Sequence, residues 1–373
     1  MIHNSVFKLK VALVHDYLKG EGGAEQVLLA LHELFPQAPI YTLFADLKKE
    51  TFFGQKYAEA KIVESWFARL PHHAKLISPL RFLSPIIWGS FNFSNYDLVI
   101  SSASWAITKG FAAGKTQEIC YCHTPPRSLY GYDTSRDWQK HWLTRAYGLI
   151  VNHFLRLYDF EQAQKVTQFV ANSREVQKRI KKFYRRDSVI IYPPVDLDSE
   201  PIIHHSRFKI HSYFLTGGRL EKPKNFDLII KACNQLKVNL KIFGIGPQEK
   251  YLKSLAGPTI QFVGGVDDRE KARLYLGCRA YIVAQRDEDF GITTVEAMAA
   301  GRPVIAYRGG GYLETVIEGK TGEFVDELTA EALAAKLQSF KAAKYDPATC
   351  RRQAQKFSKE RFNKEVLKLV SKI

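Results

Sequence analysis

The sequence predicts an α/β protein made of two doubly wound domains. Three observations carry that reading. Short apolar runs rich in β-branched residues alternate with amphipathic helical stretches along the chain. The alternation runs up to Tyr192, stops at Pro193-Pro194 and starts again at Tyr213. The length, 373 residues, exceeds one ordinary core at roughly 150 residues per domain.

The first series opens with a strand at Lys10-Val-Ala-Leu-Val-His15. A helix from Glu25 to Leu34 follows, with Val27, Leu28, Leu31 and Leu34 on one face. Strands are predicted at Asp97-Leu-Val-Ile-Ser-Ser102 and Glu118-Ile-Cys-Tyr-Cys-His123, and a long helix from Trp138 to Lys165. The half closes with a strand at 168–172, a helix from Arg174 to Phe183 and a strand at 188–192. The second series has strands at 213–217, 239–244, 259–263, 280–284 and 303–307, with helical patterns between them. Residues 196–212 are polar, contain His204, His205 and His211, and read as a linker. The expected division is 1–196, 197–350 and a final helical segment, 351–373. Ligands of such domains sit beyond the carboxyl ends of the strands, often in a cleft between two domains.

Composition narrows the function. With 54 Lys+Arg against 38 Asp+Glu, the net charge is +16, which suits nucleic acid, an anionic membrane or an anionic substrate. No zinc finger, basic heptad region or RNP-type aromatic motif is present, so nucleic acid is not an expected partner. No run of about 18 apolar residues could span a bilayer. The first ten residues lack a signal-peptide core, which predicts a cytoplasmic protein. Five scattered cysteines do not form a disulfide framework. Cys120 and Cys122 share one strand face and read as packing. Residues 174–186 hold seven Lys and Arg against Glu175 alone. Residues 66–91 interleave Trp66, Phe67, Phe82, Ile86, Ile87 and Trp88 with Arg69, Lys75 and Arg81. That segment is either an interface-seeking surface or a pair of short helices packed by their aromatics.

Three motifs carry chemistry. Gly20-Glu-Gly22-Gly23 follows the first strand and opens a helix, where free N–H groups favour an anion. It is neither a Walker loop nor Gly-x-Gly-x-x-Gly, because Glu25 or Gln26 stands where the last glycine would be. A structural turn is the plainer reading. Thr216-Gly217-Gly218-Arg219 with Lys224 follows the first strand of the second series; Arg219 and Lys224 can converge on a phosphate or line an exposed basic loop. The third motif, Glu288-Asp-Phe290-Gly291-Ile292 through Glu296 to Gly301-Arg-Pro303, places Glu288 in a loop and Glu296 early in the next helix.

The Glu288-x7-Glu296 setting resembles the signature of family-4 retaining glycosyltransferases of the GT-B architecture, two Rossmann-like domains facing a cleft. Other parts recur in the family's order: Gly22-Gly23, His123 in Tyr-Cys-His-Thr-Pro-Pro-Arg127, Asn172-Ser173, Gly218-Arg219 with Lys224, and Gly244-Ile-Gly246. The His-Thr-Pro-Pro-Arg block with His15-Asp16-Tyr17 looks most like bacterial O-antigen-type mannosyltransferases. The final helix resembles one that crosses back to the first domain.

The resemblance implies roles. Arg219 and Lys224 would hold the donor diphosphate and stabilise the leaving group. Glu296 would bind the ribose, and Glu288 the donor sugar with the N–H groups of Phe290, Gly291 and Ile292. Gly218, Gly22 and Gly23 would line the donor, and His123 would sit beside the transferred hexose. Asp16, Tyr17 and Arg127 would lie on the acceptor side. The donor it implies is GDP-mannose, although UDP-sugars share most of the other motifs. The acceptor would be a saccharide or lipid-linked saccharide at an anionic inner-membrane surface, with the protein peripheral there. No cofactor and no metal are implied, since Arg and Lys can neutralise the leaving group. An acidic residue expected about eight positions after His123 is absent, and Asp133 comes ten after it. Asp196-Leu-Asp198 mimics a metal-binding Asp-x-Asp but reads as linker. The competing classes are a non-enzymatic basic binding protein for nucleic acid or anionic lipid, and a phosphorylase of the same architecture.

Overall fold

The computed structural model describes residues 9–20, 22–47, 52–135, 138–197 and 212–373. The chain divides into two units, residues 1–194 with 360–373, and residues 195–359. The first division falls two residues before the expected one. The return to the first unit comes at Glu360 rather than 351, because helix Pro347–Gln355 belongs to the second unit. The predicted linker histidines lie outside the described residues, as does Asp198.

The first unit is a seven-stranded sheet in the order β3-β2-β1-β4-β5-β6-β7. Its strands are β1 (Val11–His15), β2 (Ile40–Thr42), β3 (Ile62–Glu64), β4 (Leu98–Ala103), β5 (Gln117–Cys122), β6 (Gln168–Ala171) and β7 (Ser188–Ile190), and every pairing is parallel. β1 is buried along its whole length, so its two side-chain rows fill two different cores. Val11 and Leu13 pack with Val27, Leu28 and Leu31 of helix α1 (Gly23–Leu34). Phe362, Val366 and Val370 of the final helix, Lys359–Val370, complete that core. Ala12 and Val14 pack with Phe44, Phe67, Ile87 and Trp88 on the other face. Burial of each large side chain there contributes roughly 1.5–3 kcal/mol.

Residues 66–91 form short helical pieces, Trp66–Arg69, His73–Leu76, Arg81–Leu83 and Ser84–Gly89. Phe67, Ile87 and Trp88 are core, while Trp66, Phe82 and Ile86 are exposed. Helix α2 (Trp142–Lys165) starts four residues later than predicted, and α3 spans Arg174–Tyr184. The basic cluster around α3 is partly structural. Buried Arg179 donates to Glu175 at 3.2 Å and to Thr124 Oγ1 at 3.2 Å. Arg186 donates to the carbonyls of Ala163, Gln164 and Val166, which closes the carboxyl end of α2.

The second unit is a six-stranded parallel sheet in the order β10-β9-β8-β11-β12-β13. Its strands are β8 (Tyr213–Gly217), β9 (Asn239–Phe243), β10 (Ile260–Gly264), β11 (Tyr281–Val283), β12 (Val304–Tyr307) and β13 (Gly322–Val325). Helices α4 (Phe226–Leu236), α5 (Asp268–Gly277) and α6 (Ile292–Ala299) connect them. The fold class is therefore the predicted one, two parallel α/β sheets. In each, the chain reverses its direction of strand addition once, between β1 and β4 and between β8 and β11. Crevices at such reversals are where ligands of open α/β sheets bind.

Candidate active site

The reversal point of the second sheet carries a small cavity lined by Thr216, Gly217, Lys224, Ala284, Gln285, Thr293 and Tyr312. Lys224 ends a short 3-10 turn after β8. The next residue, Asn225, is left-handed (φ 52°), and its Nδ2 donates to the Ala284 carbonyl at 2.8 Å. That bond ties the Lys224 loop to the end of β11. Lys224 Nζ lies 3.7 Å from Glu288 Oε2, and the Tyr312 hydroxyl donates to the same oxygen at 3.3 Å. Burial raises the Tyr312 phenol well above its ordinary pKa, with Glu288 adding to it, so Tyr312 is a fixed donor.

Glu288 is held by its backbone as well. Gly309, Gly310 and Gly311 follow β12, and Gly311 N donates to the Glu288 carbonyl at 2.9 Å. A β-carbon on Gly310 would sit 2.4 Å from that carbonyl, and one on Gly311 would sit 2.4 Å from Phe290 Cα. Only glycine permits this approach. The three glycines stand just beyond the carboxyl end of β12, where ligands of open α/β sheets bind, and they match no nucleotide-binding motif. Gly291 (φ 89°) then begins α6 with no side-chain cap. The first-turn N–H groups and the helix dipole thus favour an anion near Gly291 and Ile292.

Glu296 lies elsewhere on α6. Its Oε1 is 3.2 Å from Lys271 Nζ, and its Oε2 accepts from the Tyr275 hydroxyl at 3.0 Å. The Glu296 carboxylate holds the Lys271 ammonium above its ordinary pKa. The two glutamates of the motif therefore occupy different polar settings, Glu288 with Lys224 and Tyr312, Glu296 with Lys271 and Tyr275. Lys271 and Tyr275 sit on α5 as an i, i+4 pair and had no motif to mark them. Arg219 is half-exposed with Nη1 3.6 Å from Glu221, one residue beyond Gly218 (φ 117°). Gly244 and Gly246 pass behind that loop, where β-carbons would come within 1.9 Å of the Gly218 carbonyl and 2.4 Å of the Leu220 carbonyl.

In the first unit, Gly22 caps α1 without a side-chain bond and Gly23 is its first residue. The reversal between β1 and β4 brings His15 opposite Ser102. Ser102 Oγ is 3.0 Å from His15 Nδ1 and 2.8 Å from His123 Nε2, and all three residues are buried. Asp16 has both carboxylate oxygens engaged. Oδ2 accepts from Ser104 N (3.1 Å), Ser104 Oγ (2.6 Å) and Trp105 N (2.8 Å), and Oδ1 from Thr108 Oγ1. Asp16 thus clamps the loop after β4 through both carboxylate oxygens. Tyr17 stacks on Phe44 at 5.3 Å and meets Trp105 edge-on. Arg127 is half-buried, and its carbonyl accepts from the N–H groups of Tyr130 and Tyr132. Among the described residues no group of three or more His, Cys, Asp or Glu is placed to hold a metal ion.

Residues 21–199 match the model of Glycosyltransferase Family 4, and residues 204–357 match that of Glycosyl transferases group 1. The chain is a family-4 glycosyltransferase. This transferase is 25% identical over 375 residues to the alpha-1,3/1,6-mannosyltransferase ALG2 of Dictyostelium discoideum, covering 84% of this chain and 86% of that one. It is 23% identical to ALG2 of Mus musculus, over 99% and 97% of the two chains. Its fold is that of Anabaena Alr3699/HepE, solved in complex with UDP and glucose, at a TM-score of 0.69 and 18% identity over 98% of this chain and all of that one. Membership decides between the enzyme and the non-enzymatic basic scaffold in favour of the transferase.

Proposed function

We propose that this transferase moves a mannosyl group from GDP-mannose to a hydroxyl of a lipid-linked saccharide, with retention of configuration. The observation that carries the reading is the convergence of Lys224, Glu288 and the uncapped start of α6 at the reversal point of the second sheet. A pyrophosphate fits the N–H groups of Gly291 and Ile292, with Lys224 as the point charge on the departing phosphate. Arg219 adds a second cation from the β8 loop. Glu288, oriented by Tyr312, takes a hydroxyl of the transferred sugar. Glu296, oriented by Lys271 and Tyr275, takes the ribose hydroxyls. The mannosyl donor is supported by the names of the ALG2 relatives and by the His-Thr-Pro-Pro-Arg block around His123.

In the reaction the bond from the sugar C1 to the β-phosphate oxygen breaks, and the acceptor oxygen bonds to C1 from the same face. The acceptor proton passes to the departing phosphate. Positive charge develops on the sugar and negative charge on the phosphate, which Lys224 and Arg219 oppose. Those side chains can neutralise the leaving group without a metal ion. The Anabaena neighbour's UDP favours a second reading, a UDP-hexose donor in the same pocket.

A lipid-linked acceptor places the protein at an anionic leaflet, as a peripheral protein on the cytoplasmic side. Exposed Trp66, Phe82 and Ile86 beside Arg69 and Lys75 support that location. No helix among the described residues is long and apolar enough to cross a membrane. The test is donor turnover by purified Lys224→Ala and Glu288→Ala variants. Loss of GDP-mannose consumption with the native melting temperature kept is expected. Full turnover in the double variant would remove the site assignment.

A further inference from the structure

Helix α2 is built the wrong way round for a soluble surface helix. Its inward face carries Gly148, Asn152, Leu155 and Asp159. Asn152 donates to the Ser128 carbonyl at 3.1 Å, and Asp159 holds Lys109 and the Tyr130 hydroxyl. Its outward face carries Trp142, Leu143, Ile150, Phe154 and Leu157, each 58–77% exposed. At 3.6 residues per turn these five fall within an arc of roughly 120°. Between Trp142 and Leu157 the only polar side chain in that arc is His153. An exposed apolar stripe this long is a binding surface by default.

Charge says what covers it. From Trp138 to Tyr158 the chain has Lys140, Arg145 and Arg156 and no acidic residue. From Ser65 to Tyr96 it has Arg69, Lys75 and Arg81, again with no acidic residue. The two segments meet where the Tyr147 hydroxyl donates to the Pro79 carbonyl. A second copy of this chain would bring those cations against themselves with no carboxylate in either segment to answer them. A leaflet of anionic phospholipid answers both features at once, acyl chains for the stripe and headgroups for the cations.

We propose that α2 is the membrane-docking element of this protein, lying in the plane of an anionic leaflet with the Trp142–Leu157 stripe inserted and the 66–91 segment beside it. The proposal rests on the peripheral reading above and moves its main contact from residues 66–91 to α2. The docking face and the donor pocket are assigned to different units, so each can fail without the other.

The test is co-sedimentation of the full chain with vesicles of phosphatidylcholine alone or with one-third phosphatidylglycerol, at low salt. Binding to the anionic vesicles is expected, with a blue shift of tryptophan emission that persists in Trp66→Phe and disappears in Trp142→Phe. The Ile150→Ser, Phe154→Ser, Leu157→Ser triple variant should lose roughly 100-fold or more in partition while keeping its melting shift with GDP. Equal binding by the triple variant would overturn the proposal. So would a wild-type dimer in light scattering that the triple variant dissolves while neither protein sediments with vesicles. Absence of vesicle binding by a wild-type protein that still responds to GDP would end the docking claim and leave the transferase site standing. Vesicle binding without any nucleotide response would leave docking standing and remove the donor assignment.

Discussion

Lys224 and Glu288 face each other at 3.7 Å across the end of the second sheet, with the Tyr312 hydroxyl on the same carboxylate oxygen. The contact is partly solvated, so it adds little to stability. Its significance is positional: a donor entering the cavity would take the lysine for its phosphate and the carboxylate for its sugar. Lys224→Ala is expected to lower kcat by about 100-fold or more, since it removes charge stabilisation that grows in the transition state. Steady-state donor kinetics check it. A rise in KM alone would mean that Lys224 only binds.

The Glu296 setting predicts a different signature. In the proposed site Lys271 and Tyr275 would orient the Glu296 carboxylate on the ribose, away from the reacting atoms, so Lys271→Met or Tyr275→Phe should raise the donor KM several-fold, roughly the worth of one hydrogen bond to a charged group. kcat should hold. A fall in kcat at constant KM would contradict a ribose role for Glu296.

Gly310 and Gly319 make a matched pair. Both are left-handed, at φ 55° and 74°. A β-carbon at Gly310 would meet the Glu288 carbonyl at 2.4 Å, whereas none at Gly319 meets anything within 4 Å. Gly319→Ala should cost about 1 kcal/mol in denaturant titrations with activity unchanged. Gly310→Ala should displace the Glu288 loop and abolish turnover. Equal activity in both would show that the glycine loop does not set the position of Glu288.

The Ser102 hydroxyl has one proton for two imidazoles. It donates to one ring and accepts from the other, so His15 and His123 hold linked tautomers. Ser102→Ala leaves both ring nitrogens facing a methyl group in a buried site. It should destabilise the protein by about 1–3 kcal/mol in denaturant titrations and lower turnover, while Ser102→Thr should rescue both. Unchanged turnover with lowered stability would reduce the Ser102 bridge to a packing role.

Buried Lys109 and Asp159 form an ion pair that the Tyr130 hydroxyl completes at 2.7 Å. Lys109→Met strands the carboxylate, and calorimetry or denaturant titration should register a loss of about 3–5 kcal/mol. A loss under 1 kcal/mol would mean that Asp159 finds another partner or a proton.

Long apolar strands were legible because burial on both faces writes them as continuous runs; β1, β4, β5 and β8 are examples. The strands at Ile40–Thr42, Ile62–Glu64 and Gly322–Val325 span three or four residues, too few to show a period, and exist through their neighbours. Glu288 and Lys224 could be singled out because loop glycines and helix caps surround them. Lys271 and Tyr275 could not, since a lysine and a tyrosine four apart on a helix look like any surface pair until the fold sets Glu296 beside them. Helix α2 was legible as a helix, but its outward apolar stripe was not: the stripe faces outward because Asp159 and Asn152 are consumed inside.

Lys224 and Glu288 are proposed to hold a nucleoside diphosphate sugar. A melting-temperature panel with GDP, UDP, GDP-mannose and UDP-glucose, run on the wild type and on Lys224→Ala, decides it. A rise of several degrees with GDP and GDP-mannose, absent in Lys224→Ala, is the predicted result. A rise with the uridine ligands alone would keep the site and change the donor. No rise with any of the four at saturating concentration, or an equal rise in Lys224→Ala, would contradict the claim.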